Sequence, residues 1–134
     1  MPRLAYEVLQ PQRDLSCVVF ASPHSGCDYP ASFLRTTVLD AHSIRSSEDA
    51  FVDQLFECAP LFGAWFLKAG APRAFVDLNR AADELDPALV EGIRPQGHNP
   101  RIASGLGVIP RVVANGRSIY RGKLSLSEAE RRIE

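Results

Sequence analysis

The sequence predicts an α/β fold, and three observations carry that prediction. An unbroken apolar run, Ser16 to Ala21, ends abruptly at the polar turn Ser22-Pro23-His24-Ser25-Gly26. A helical pattern with polar capping residues follows near Ser46. Two further apolar runs, Ala64 to Ala69 and Arg73 to Leu78, are separated by Gly70, Ala71 and Pro72. Strand, helix, strand, strand in one short span is the order of an α/β sheet.

The first run has the unalternating apolar character of a strand buried on both faces. Tyr29 to Leu34 predicts a loop or a short helical turn. For the next helix, Ser46 or Ser47 is the cap and Glu48 and Asp49 occupy the first turn. Phe51, Val52, Leu55, Phe56 and Ala59 then form one apolar stripe, and Pro60 closes the helix. From Ala81 to Gly122 the chain is rich in turn formers, with Val108-Ile109 and Val112-Val113 as candidate short strands. Asn115-Gly116 is a strong hairpin signal. Ser125-Leu126-Ser127-Glu128 is a capping box opening a final helix with Leu126, Ala129 and Ile133 on one stripe. That helix reaches Glu134 without a glycine or proline stop, so residues 1–134 are expected to be one α/β domain, the N-terminal portion of a longer protein.

Composition narrows the function classes. At 134 residues, 46% hydrophobic and 23% charged, the chain has enough apolar content for one core. A formal net charge of -1 argues against nucleic-acid and membrane-surface roles. No apolar stretch is long enough to span a membrane, and the N-terminus has no signal-peptide pattern. Three cysteines without a framework spacing point to the cytoplasm. Cys17 and Cys58 are expected in the core, and Cys27 is a weak nucleophile candidate beside His24. Between Gly92 and Ser127 six basic residues, Arg94, Arg101, Arg111, Arg117, Arg121 and Lys123, face no Asp or Glu in the same segment. That segment is either a solvated loop face or a positive field over a cleft that takes a small carboxylate.

Three constellations can carry chemistry. His24, delivered by a strand end, is either a turn cap or a metal ligand. Glu48-Asp49 is either a helix-dipole pair or a carboxylate partner for such a histidine. Asn79-Arg80, after the run Phe75 to Leu78, is either a carboxylate clamp at the sheet edge or a surface arginine pairing with Asp83 or Glu84.

Taken together, Ser22 to Gly26, Glu48 to Leu55, Phe75 to Arg80, Gly107 to Val112 and Ile119-Tyr120, with Glu128 to Ile133, resemble the N-formylglutamate amidohydrolase family in the same order along the chain. The resemblance implies a mixed sheet flanked by helices, of the zinc-peptidase and phosphorylase/hydrolase-like kind. It implies a zinc-dependent amidohydrolase that cleaves N-formyl-L-glutamate to formate and glutamate, a step of histidine degradation, acting as monomer or homodimer. His24 and Asp49 then stand as metal ligands, with Glu48 as the fallback carboxylate. Asn79 and Arg80 stand as the substrate clamp and Arg111 as a second anion contact. A general base and a further ligating histidine find no counterpart. Asp40-Ala41-His42-Ser43 imitates the family's later Asp-x-His-Ser motif too early in the order, which leaves His42 structural, and His98 is at most a substrate-loop residue. The remaining alternatives are a binding module for small carboxylates, an amidohydrolase for another N-acyl amino acid or small peptide, and a thiol hydrolase using Cys27.

Overall fold

The structure, a computed structural model, describes residues 1–13, 15–94, 97 and 99–134. His98 lies outside the described residues. The architecture is mixed α/β, as the sequence pattern predicts. Strands β1 (Tyr6–Leu9), β2 (Val19–Ser22) and β3 (Trp65–Ala69) form a sheet in the order β1-β3-β2. β1 runs antiparallel to β3, and β2 runs parallel to it. The helices are short: α1 (Ala31–Thr36), α2 (Val52–Leu55), α3 (Pro100–Ala103) and α4 (Leu126–Ile133). None of these is long and apolar enough to cross a membrane.

Two cores organise the chain. The larger gathers Phe33 of α1, Phe75, Leu89, Ile109, Ile119 and Ala129 of α4. The smaller packs Phe66 of β3 against Ala59 and Ala64, with Leu9 and Phe20 alongside. α4 shows how local and tertiary signals combine. The Ser125 hydroxyl accepts from the Glu128 amide, so the predicted cap is present. Glu128 itself turns to Arg131 and Arg132. Arg132 lies buried over the rings of Phe33, Phe75 and Tyr120 and donates to the Tyr120 hydroxyl at 2.6 Å. A buried guanidinium is tolerable here because a carboxylate, a hydroxyl and three aromatic faces all satisfy it.

Several local expectations are corrected. β1 comes before the strand that the apolar pattern marks as first, and its Tyr6 and Val8 are exposed. The second strand begins at Val19 rather than Ser16, and Val18 and Val19 are exposed rather than buried on both faces. The helix expected from Ser46 shrinks to the single turn α2, preceded by Phe51 in the left-handed region at φ 66°. Glu48 and Asp49 therefore lie in the turn before α2, and Phe51 and Leu55 project to solvent. A separate 3-10 turn, Ala59–Phe62, carries Pro60. Arg73 to Leu78 forms turns packed into the core instead of a strand, so Asn79-Arg80 does not follow a strand end. The expected strands around Arg111 reduce to one bridge, Val112 with Ser118, closed by Asn115 at φ 61° and Gly116 at φ 69°. Cys17 and Cys58 are exposed and are not core thiols. The common cause is packing, since a short apolar run supports either strand or turn until its neighbours are placed.

Asp40 illustrates a polar signal with a purely local use. Its Oδ1 accepts from the amides of His42 and Ser43, capping the 3-10 turn Ser43–Arg45. The Ser43 amide bond is the main reason its carboxyl sits below the usual range. A depressed carboxylate stabilises the fold above its unfolded value, about 3.9, and that contribution disappears as pH falls through the lower folded value. Asp40→Ala is accordingly expected to lower Tm at pH 7, and the gap from the parent should narrow on acidification below pH 4. Circular dichroism melts from pH 3 to 7 check this, and a gap that is constant across the series would contradict it.

Candidate functional site

The turn after β2 carries His24 and is tightly made. Ser22 Oγ donates to Ser25 Oγ at 2.7 Å, and Ser25 Oγ also reaches the Ser22 carbonyl. Gly26 follows with its α-carbon pressed against another segment: a Cβ built there would stand 2.0 Å from the Ala71 carbonyl oxygen. Gly26 does not have a positive φ. Its role is thus close backbone approach, and the conformational relaxation of a φ-free residue is not what the turn uses.

The His24 ring is held between two carboxylates. Nε2 pairs with Asp77 Oδ1 at 2.8 Å, and Nδ1 faces Asp49 Oδ2 at 3.4 Å. The backbone joins the same two segments, because the Asp49 amide donates to the His24 carbonyl at 3.0 Å. Asp77 is fully buried. Its Oδ1 also accepts from the Asn79 amide at 2.9 Å, and its Oδ2 accepts from Arg73 Nε at 3.2 Å. Burial pushes the Asp77 carboxyl up, yet the His24 and Asn79 bonds and the charges of His24 and Arg73 outweigh it and hold the group below its usual range. Asp77 is therefore a carboxylate inside the protein that braces its own segment, through Arg73 and Asn79, and ties it to the His24 turn. In the sequence it lies within the run Phe75 to Leu78, where no role is evident for it. An acidic residue inside an otherwise apolar run was the signal available.

The predicted pair Glu48-Asp49 separates in space. Asp49 is half exposed and turned to His24. The Glu48 side chain is buried, its Oε2 accepts from Arg45 at 3.1 Å, and its carboxylate faces the Tyr29 hydroxyl. Burial first, and Glu48 second, push the Tyr29 hydroxyl far above its ordinary value. A cavity of about 470 Å³ opens beside Asp49, with Ser46, Arg73, Leu106 and Asn115 among its walls. Arg117 ties this wall to the opposite segment by donating to Ser43 Oγ at 2.8 Å and Ser46 Oγ at 3.1 Å.

The predicted substrate residues are distributed differently. Asn79 joins His24 on the same Asp77 oxygen, so these two segments do meet. Arg80 pairs with neither Asp83 nor Glu84. Its Nε donates to the Leu106 carbonyl and its Nη1 to the Asn79 carbonyl, which supports the cavity wall from behind. Arg80 also borders a second cavity, about 350 Å³, together with Asp77 and Arg132. Arg111 pairs with the buried Asp86 at 2.9 Å and is not among the walls of the Asp49 cavity. Arg73, which sequence reasoning passed over, is the arginine that lines that cavity.

The model of the N-formylglutamate amidohydrolase family matches residues 16–134. The chain belongs to that family. A solved N-formylglutamate amidohydrolase from Ralstonia eutropha JMP134 shares 36% identity with it at a TM-score of 0.85. That match covers 97% of this chain and 47% of the solved one, so this amidohydrolase family member spans under half the length of its structural relative. No curated protein matches the chain.

Proposed function

We propose that the chain supplies part of a zinc-dependent active site for hydrolysis of N-formyl-L-glutamate. The observation that carries this reading is the geometry at His24. Two ligands on one tetrahedral zinc, at about 2.0–2.2 Å each, stand about 3.4 Å apart. His24 Nδ1 and Asp49 Oδ2 have that spacing, which is long for a hydrogen bond. The other ring nitrogen is taken by Asp77, the carboxylate–histidine pairing that fixes a ligating imidazole. Among the described residues no third His, Cys, Asp or Glu joins the pair, and a catalytic zinc site needs three protein ligands. The residues thus fit a partial site, with Asp49 favoured over Glu48 because Glu48 is turned to Arg45 and Tyr29.

Each residue then has a task. Asp77 keeps a proton on Nε2 and leaves the Nδ1 lone pair toward Asp49. Zinc held by His24 and Asp49 would polarise the formyl carbonyl and acidify a water. The substrate of this reading is a dianion, and Arg73 and Arg80 are the arginines assigned to balance it. Arg73 lines the cavity while its Nε stays on Asp77, and Arg80, which has used two of its five N–H donors on carbonyls, borders the second cavity on the other side of Asp77. Arg111, committed to Asp86, contributes to the positive field at most from a distance. Kinship with the zinc peptidases and a cytoplasmic setting belong to the same reading.

His24→Ala and Asp49→Ala are each expected to remove zinc from the metal-loaded protein, while Glu48→Ala leaves the stoichiometry intact. Elemental analysis after gel filtration decides this. Full zinc in the His24 variant would end the ligand assignment. Arg80→Met should raise KM for N-formylglutamate far more than it lowers kcat, whereas an equal fall in kcat would place Arg80 in the chemical step.

A further inference from the structure

The basic segment between Gly92 and Ser127 sends one of its charges to the cavity beside Asp49. Arg111 pairs with Asp86, and Lys123 donates to the Pro87 carbonyl. Arg117 Nη2 donates to Ser46 Oγ at 3.1 Å, and Ser46 is a wall of that cavity. Asn115 and Gly116, just before Arg117 in the chain, line the same space. Their φ values of 61° and 69° make the tight turn that sets Arg117 at the cavity edge. Both bonds of Arg117 go to neutral hydroxyls. Ser43 Oγ accepts from Nη1 at 2.8 Å and spends its own proton on Asp40 Oδ2. Ser46 Oγ spends its proton on the Ser43 carbonyl at 2.7 Å. The two oxygens are thus left to accept, and they hold the guanidinium in place without neutralising it. Among the described residues no carboxylate pairs with Arg117 and Nε has no partner, so the edge made by Nε and Nη2 is open. That edge is the fork that takes a carboxylate with two parallel bonds.

We infer that Arg117 is the specificity-determining residue for the carboxylate on the substrate's side chain. The inference rests on the reading of the Asp49 cavity as the site of an N-acyl amino acid. Arg73 bonds Asp77, and Arg80 bonds the carbonyl of Asn79, whose amide is also on Asp77. Both therefore stand at the His24 end, where they serve the carboxylate next to the scissile amide. The side-chain carboxylate lies farther from the amide and needs a cation elsewhere. Of the charged walls of the cavity, Glu48 and Asp49 repel an anion, and Leu106, Pro110 and Val112 offer no polar side chain. Arg117 is the remaining cation bonded to a wall, and its serine anchors fix it before substrate arrives, which lowers the cost of ordering it on binding.

The test compares two ligands that differ in side-chain charge and hardly in shape, N-methanesulfonyl-L-glutamate and N-methanesulfonyl-L-glutamine. Their sulfonamide is not hydrolysed, so isothermal titration of the complete, zinc-loaded protein reads binding alone. The parent is expected to bind the glutamate compound about tenfold or more tightly than the glutamine compound. Arg117→Met should bring that ratio close to one by weakening the glutamate compound alone. Arg117→Lys keeps the charge without the fork and should fall between. Melting curves report the fold of each variant, and the lysine variant carries the comparison if the methionine variant does not fold. A role confined to tying the turn to Ser43 and Ser46 would weaken both ligands alike and leave the ratio at its parent value, which overturns the proposal. Formate release from N-formyl-L-glutamate is measured alongside. A parent that releases formate yet ignores the side-chain charge loses this proposal and keeps the zinc reading. A parent that binds neither ligand and releases no formate loses both.

Discussion

Asp77→Ala is expected to destabilise the protein by about 3–5 kcal/mol, the range for removing one partner of a buried ion pair. The variant leaves Arg73 without its carboxylate, the Asn79 amide without its acceptor and His24 Nε2 without its partner. Arg73 and Asn79 flank Asp77 in its own segment and His24 comes from the turn after β2, so loss should loosen that turn and the Arg73-to-Arg80 segment together. Asp77→Asn keeps the shape and one acceptor oxygen but no charge, and should fall between parent and alanine variant. Urea denaturation midpoints at neutral pH measure both. In the metal-loaded protein the same variants should weaken zinc by about 10- to 100-fold, because an unanchored imidazole is a poorer ligand. A loss of under 1 kcal/mol with unchanged metal affinity would show that Asp77 is not the brace described above.

Gly26→Ala is expected to have the second large effect. The added methyl would stand 2.0 Å from the Ala71 oxygen, 2.6 Å from its carbonyl carbon and 2.8 Å from the Gly70 oxygen. All three atoms are backbone, so no side chain can swing aside. Either the His24 turn or the Gly70-Ala71 turn must move, and Gly70 and Ala71 themselves donate to the Ala5 carbonyl. Overpacking of this kind costs about 1–3 kcal/mol or more. The functional consequence should exceed the stability loss, since the shift displaces His24 from Asp77 and Asp49. Thermal melts combined with zinc titration test this, and unchanged values in both would disprove the close approach. Gly116→Ala is the control: nothing lies within 4 Å of a Cβ there, and only the φ of 69° is strained.

Three of the candidate segments were legible in the residues because their motifs are short and local. A histidine at the end of an apolar run, an acidic pair near a helix start and an Asn-Arg pair after a second apolar run each have a chemical use that local order suggests. What local order cannot supply is partnership. Asp49 and Glu48 are adjacent in sequence, and only packing sends one to His24 and the other to Arg45 and Tyr29. Arg73, Arg80 and Arg111 look alike as basic residues. Tertiary structure gives Arg111 to Asp86, places Arg80 behind the cavity wall and leaves Arg73 lining the cavity.

By itself the sequence determined the α/β class, the family, the Ser125 cap of the last helix and a set of candidate site residues that left out Asp77 and Arg73. These rest on hydrophobic pattern, capping chemistry and motif order, all of which are properties of the linear chain. Only the tertiary structure decided that the apolar run after Arg73 is a core turn, that the helix after Asp49 is a single turn, and that His24 is clamped between Asp77 and Asp49. The physical reason is the same in each case. Burial and ion pairing depend on which distant segments arrive at a residue, and Asp77 lies 53 positions from the histidine it orients.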